Sequence, residues 1–100
     1  MQMAAQYVRD FNADLGELSL NLEGDKNWKR FAADRINKIQ KREATRNVLF
    51  FKKPTENLEI FINGETDPYI IQKGRIKDDF EWVQSVIKKF CEKYKVKYEE

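Results

Sequence analysis

The chain contains no histidine and a single cysteine, Cys91. These absences exclude Ser-His-Asp and Cys-His catalysis within the chain, and zinc sites built from His and Cys clusters. They also exclude an internal disulfide, which suits a reducing compartment. Proline occurs only at Pro54 and Pro68, and glycine only at Gly16, Gly24, Gly64 and Gly74. Scattered singly, these residues read as punctuation between elements, not as a flexible linker. No apolar stretch approaches the roughly 18 residues of a membrane span. Residues 1–7 lack the basic segment and apolar run of a secretory signal, so the expectation is a cytoplasmic protein with no membrane partner. No Walker loop, dinucleotide fingerprint or EF-hand loop is present, and no cofactor or metal is expected.

What remains is a chain of 100 residues, 41% hydrophobic and 36% charged. That length bounds it to one domain, residues 1–100, with one modest core. The net charge of +2 hides strong segregation. Residues 1–25 carry a net −4, 26–53 a net +8, 54–72 a net −4 and 73–100 a net +2. Such blocks point to charged partners more directly than the total does.

Hydrophobic periodicity suggests the elements. Met3, Ala4, Tyr7, Val8, Phe11 and Leu15 share one helical face, which favours a helix ended by Gly16; a strand over Tyr7–Phe11 stays open. Leu18–Glu23 alternates strictly and reads as a half-buried strand. From Lys26 to Lys41, the residues Trp28, Phe31, Ala32, Ile36 and Ile39 fall on one side of a helix, with Asp25 as its cap. Val48–Phe51, Leu58–Ile62 and Tyr69–Gln72 read as strands, with a turn over 52–57. Asp78 and Glu81 resemble a capping box for a final helix, whose stripe is Phe80, Val83, Val86, Ile87, Phe90, Cys91 and Tyr94. The expected order is α-β-α-β-β-β-α, a small α+β two-layer sandwich: about four antiparallel strands with two to three helices on one face.

Candidate sites follow from charge and aromatics. Lys26, Lys29, Arg30, Arg35, Lys38, Lys41, Arg42 and Arg46 crowd the second predicted helix, and Lys52 and Lys53 follow it. Cations along one face suit phosphate, so Lys26, Arg30, Lys38, Lys41, Arg42, Lys52 and Lys53 are a candidate nucleic-acid surface; a solvated face is the alternative. Glu56, Glu59, Glu65 and Asp67 form an acidic region suited to a basic partner. Trp28 falls inside its stripe and reads as core. Trp82 lies outside the stripe of the last helix and is a candidate aromatic anchor. Cys91 lies inside that stripe and reads as a buried structural thiol. Phe50 and Phe51, adjacent on one strand, point to opposite faces; a single helical layer leaves one ring to stack on a base, bury in a partner or pack under the 52–57 loop, and the alternative is that the first helix covers that face.

Small size, segregated charge and the lack of a cofactor motif are common among accessory proteins of phages and mobile elements. The expected function is a non-enzymatic protein-binding module, an adaptor or an inhibitor of a host protein. A nucleic-acid-processing target is a special case, because acidic loops can enter its basic grooves. The alternative is direct RNA or DNA binding through residues 26–46 and 52–53.

Overall fold

β-Structure dominates the chain, and the helix at its C-terminal end is the single α-helix among the described residues. The computed structural model describes residues 5–100. Its strands are β1 (Gln6–Asp14), β2 (Glu17–Leu22), β3 (Trp28–Ala32), β4 (Ile36–Val48), β5 (Phe51–Ile62), β6 (Tyr69–Gln72) and β7 (Lys97–Glu99). The helix is α1 (Phe80–Tyr94), and a 3-10 turn at Ala33–Arg35 joins β3 to β4. The seven strands form one mixed sheet in the order β3-β2-β1-β6-β5-β4-β7. The expected two-layer sandwich of about four antiparallel strands with two to three helices is therefore incorrect.

Two β-bulges explain the error. In β1 the ladder to β2 shifts between Val8 and Asp10. In β4 the ladder to β5 shifts between Ile36 and Lys38. A bulge adds one residue, so inward side chains stand three apart instead of two. Val8 and Phe11 both face the core, as do Ile36 and Ile39. That spacing imitates one turn of helix; the predicted helix over 4–15 is, where described, strand β1, and the one over 26–41 is β3, the 3-10 turn and the start of β4. Met3 and Ala4, part of the first of those expectations, lie outside the described residues. Trp28 is not core; it sits on edge strand β3 and is 45% exposed.

β1 is the corner of the fold. Its residues Gln6 and Tyr7 pair in parallel with Tyr69 and Ile70 of β6. From Val8 onward, through the bulge, it pairs antiparallel with β2. The bulge bends and twists the strand, so the sheet curls. The three-residue turn Ala33–Arg35 then links β3 to β4, which lie on opposite sides of the strand order. Such a short link requires the sheet to wrap nearly into a barrel. The Phe31 and Tyr69 rings, three strands apart in the sheet, accordingly meet at 5.4 Å.

The inner face holds Leu18, Leu20, Ile39, Leu58, Ile60 and Ile71, all fully buried. Helix α1 closes this interior with Phe80, Val83, Ile87, Phe90 and Cys91. Asp79, rather than Asp78, caps it: the Trp82 N–H donates to Asp79 Oδ2 at 3.2 Å. Glu81 does not complete a capping box; it pairs with Lys73 at 2.9 Å. Lys95, in the left-handed region at φ 58°, ends the helix.

The β4–β5 hairpin is the longest element. Its ladder runs from Ile36↔Ile62 to Val48↔Phe51. β6 covers β5 only over Asn57–Ile60, and β7 covers β4 only over Lys38–Gln40. The distal part therefore extends past its neighbours as a two-stranded arm. Residues 52–57, expected as a turn, belong to this strand. Pro54 is tolerated there because β5 has no outer neighbour strand at that position. Val48–Phe51 is not a strand of its own: Leu49 and Phe50 form the turn of the arm.

Candidate functional site: the basic arm and its apolar tip

Alternation along the arm sorts its side chains onto two faces. Arg42, Ala44, Arg46 and Val48 of β4 share the face turned away from the core, opposite Asn57, Thr55, Lys53 and Phe51 of β5. Lys41, Glu43, Thr45 and Asn47 lie on the other face, opposite Leu58, Glu56, Pro54 and Lys52. Among the described residues, nothing covers the tip. Leu49 is 86% exposed, Phe50 101% and Phe51 62%. Leu49 adopts φ 55°, in the left-handed region. A branched apolar residue reaches that region only with strain, on the order of 1 kcal/mol.

The expected nucleic-acid residues do not form one surface. Lys26 lies in the loop before β3, and Arg30 sits on β3 at the edge of the sheet. Lys38 and Arg42 lie on the outer face of the sheet, and Lys41 on the inner face. Four of these cations are already paired: Arg30 with Glu17 at 3.8 Å, Lys38 with Glu99 at 3.7 Å, Lys41 with Glu56 at 3.3 Å and Arg42 with Glu59 at 2.6 Å. Arg46, Lys52 and Lys53 on the arm form no ion pair among the described residues.

The expected acidic surface is similarly consumed. Glu56 and Glu59 are the partners of Lys41 and Arg42. Glu65 accepts the Tyr69 hydroxyl at 2.6 Å, and Asp67 remains in the loop before β6. Burial, together with that hydrogen bond, pushes the Tyr69 phenol up to about 12. The basic block 26–53 and the acidic block 54–72 largely make up the two strands of one hairpin. Two ion pairs, Lys41–Glu56 and Arg42–Glu59, join the blocks across that hairpin.

The outer face of the sheet is not a bare apolar patch. Tyr7, Phe61 and Ile70 are half-buried there. The Arg75 guanidinium lies 3.7 Å from the centre of the Tyr7 ring and is held by Glu23 at 2.6 Å. Lys38 lies 5.2 Å from the centre of the Phe61 ring. Cations thus roof the aromatics. A cleft of about 660 Å³ is lined by Thr45, Arg46 and Asn47 of the arm and by Tyr7, Gln72, Gly74 and Arg75. Gly74 sits at φ 87°, in the left-handed region that favours glycine, and the Arg46 guanidinium lies against it.

Trp82 is 54% exposed and meets Phe11 edge-on at 6.0 Å, so it half-packs on the body, on an element distinct from the arm. Cys91 is buried, and burial pushes its thiol up to about 11, which leaves no reactive thiolate near neutrality. Among the described residues no cluster of carboxylates or cysteine is arranged to hold a metal ion, and no helix is long and apolar enough to cross a membrane. Sequence reasoning missed Leu49 and Arg46 as site residues. The contiguous run Leu49-Phe50-Phe51 beside Lys52-Lys53 is the signal that marks the tip.

Comparison with known families, curated proteins and solved structures finds no match for this chain.

Proposed function

We propose that the protein is a non-enzymatic binding module, an adaptor or inhibitor, that docks the tip of its arm into an apolar pocket of a partner protein. The observation that carries this reading is the exposure of three consecutive large apolar residues, Leu49, Phe50 and Phe51, at one protruding point. Contiguous exposed apolar surface marks association, and aromatic anchors dominate interface energetics. The unpaired Arg46, Lys52 and Lys53 flank the tip, so the fitting pocket has a rim of carboxylates. With Glu56, Glu59 and Glu65 engaged internally, little free acid is left to imitate a nucleic acid. The partner is therefore defined by pocket and rim, not by a basic groove.

A photo-reactive residue at position 50 tests this in the native host. The expected result is one dominant cross-linked partner. That cross-link should disappear when Leu49→Gly and Lys53→Glu are added, and persist when Trp82→Ala is added. Equal labelling of many proteins, or labelling indifferent to the arm substitutions, overturns the proposal.

One observation favours a second reading. Phe51, Arg46 and Lys53 share a face of the arm, and an aromatic ring beside cations suits a single-stranded nucleic acid. Binding to single strands that falls steeply from about 50 to 200 mM salt, and is lost in Arg46→Glu, would carry that reading instead.

A further inference from the structure

We propose that the free edge of β4 pairs, antiparallel and about a two-fold axis, with the same edge of a second copy of this chain. β7 stops beside Gln40, while β4 continues to Val48. Along residues 42–48 the outward main-chain groups meet no neighbouring strand among the described residues. A row of unpaired N–H and C=O groups is a template for another strand.

The side chains select the register. With the axis at Thr45, Ala44 faces Arg46 of the second copy, Arg42 faces Val48 and Glu43 faces Asn47. No like charges meet. With the axis at Ala44, Arg42 opposes Arg46 twice. With the axis at Arg46, that residue opposes itself. Like charges directly opposite one another destabilise a ladder.

The length fits as well. In the Thr45 register the incoming strand reaches Val48 opposite Arg42, just short of the place beside Gln40 where β7 already lies. The two strands then share one lane end to end, and the turn Leu49–Phe50 of one copy abuts the end of β7 of the other. The other sheet edge, β3, lacks this complementarity. Self-pairing about Lys29 or Arg30 sets cation against cation.

The test is the mass of the intact protein across roughly 5 to 500 µM, by sedimentation equilibrium. The expected result is a monomer–dimer equilibrium. Ala44→Arg, which places a cation against Arg46 of the second copy at both symmetric positions, should weaken the dimer roughly tenfold. Ala44→Glu should tighten it by a similar factor. Thr45→Cys should form a disulfide-linked dimer under mild oxidation, because the two residues face each other on the axis. Lys52→Cys, on the other strand of the arm, should not. A monomeric mass throughout the range, both Ala44 variants shifting the equilibrium in one direction, or equal cross-linking at positions 45 and 52 each overturns the proposal. Partner capture by the tip is read separately in the native host, so either proposal can fail alone.

Discussion

Arg46 and Lys53 stand directly opposite one another on the same face of the arm, two cations across one rung of the ladder. Like charges in that position weaken a hairpin by a few tenths to about 1 kcal/mol. The arm therefore carries a charge arrangement that its own stability does not favour, as expected of residues retained for contact with something else. Lys53→Glu converts the rung to an ion pair. We expect a small gain in thermal stability, about 0.5 kcal/mol, together with loss of tip-dependent cross-linking. Unchanged cross-linking with the gain in stability would remove Lys53 from the contact.

Leu49 holds the turn of the arm at φ 55°. Leu49→Gly relieves the strain of a left-handed branched residue. It should slow amide exchange across residues 44–55 while weakening partner capture. Against that background residues 47–53 of the native protein should exchange well before Ile39, Leu58 and Ile60, because the end of the arm has no neighbouring strand and a two-stranded ribbon is only marginally stable. Equal protection of arm and barrel would show that the arm is held by more than its own ladder.

Glu59 is largely buried on the outer face, and one of its oxygens has no well-aligned donor although Arg42 Nε lies 2.6 Å away. The pair is held by charge more than by hydrogen-bond geometry. Arg42→Met should cost about 1 kcal/mol, because it strands the carboxylate, whereas Arg42→Met with Glu59→Leu should recover most of that loss. Urea unfolding of the single and double variants measures the difference.

The alkaline limb of stability follows from Cys91 and Tyr69. Both are accommodated as neutral groups, the thiol ionising at about 11 and the phenol at about 12 in the folded protein. In the unfolded chain they ionise nearer the ordinary 9.0 and 10.0. The unfolded state therefore releases these protons first as pH rises. The stability they confer is complete below about pH 9 and falls as pH climbs through 11 and 12. Tyr69→Phe should lose about 1 kcal/mol at neutral pH with its hydrogen bond to Glu65, and should show a shallower alkaline decline. A decline as steep as in the native protein would assign it to other groups.

How much of this was legible in the residues depended on plain periodicity. Leu18, Leu20 and Leu22 alternate without interruption, and β2 was readable from them. The stripe from Phe80 to Cys91 keeps a helical period over about three turns, and α1 was readable too. β1 and β4 were not, because each bulge changes the inward spacing from two to three at Val8–Phe11 and Ile36–Ile39. The arm was hidden for a different reason. Its turn, Leu49–Phe50, has none of the Gly, Asn or Asp that announces a hairpin, and Pro54 stands where a strand seldom admits it. The candidate site was half visible. The cations of 52–53 and the rings of 50–51 were noted, but their position at a tip required the long ladder between residues 36 and 62. The acidic and basic blocks suggested outside partners because a sequence does not show which strands will neutralise each other.

The role of β1 as the strand shared by both halves of the sheet has a kinetic consequence. The β2–β3 and β4–β5 hairpins, like the β5–β6 pair, join near neighbours in the chain, so each can assemble early and locally. Gln6 and Tyr7 must instead find Tyr69 and Ile70, as β4 must find β7, each more than half the chain away, and these parallel closures cost far more loop entropy than any hairpin. Folding should therefore be limited by the docking of the two terminal strands, and changes near residue 6 or in β7 should slow it more than changes of equal severity in the arm.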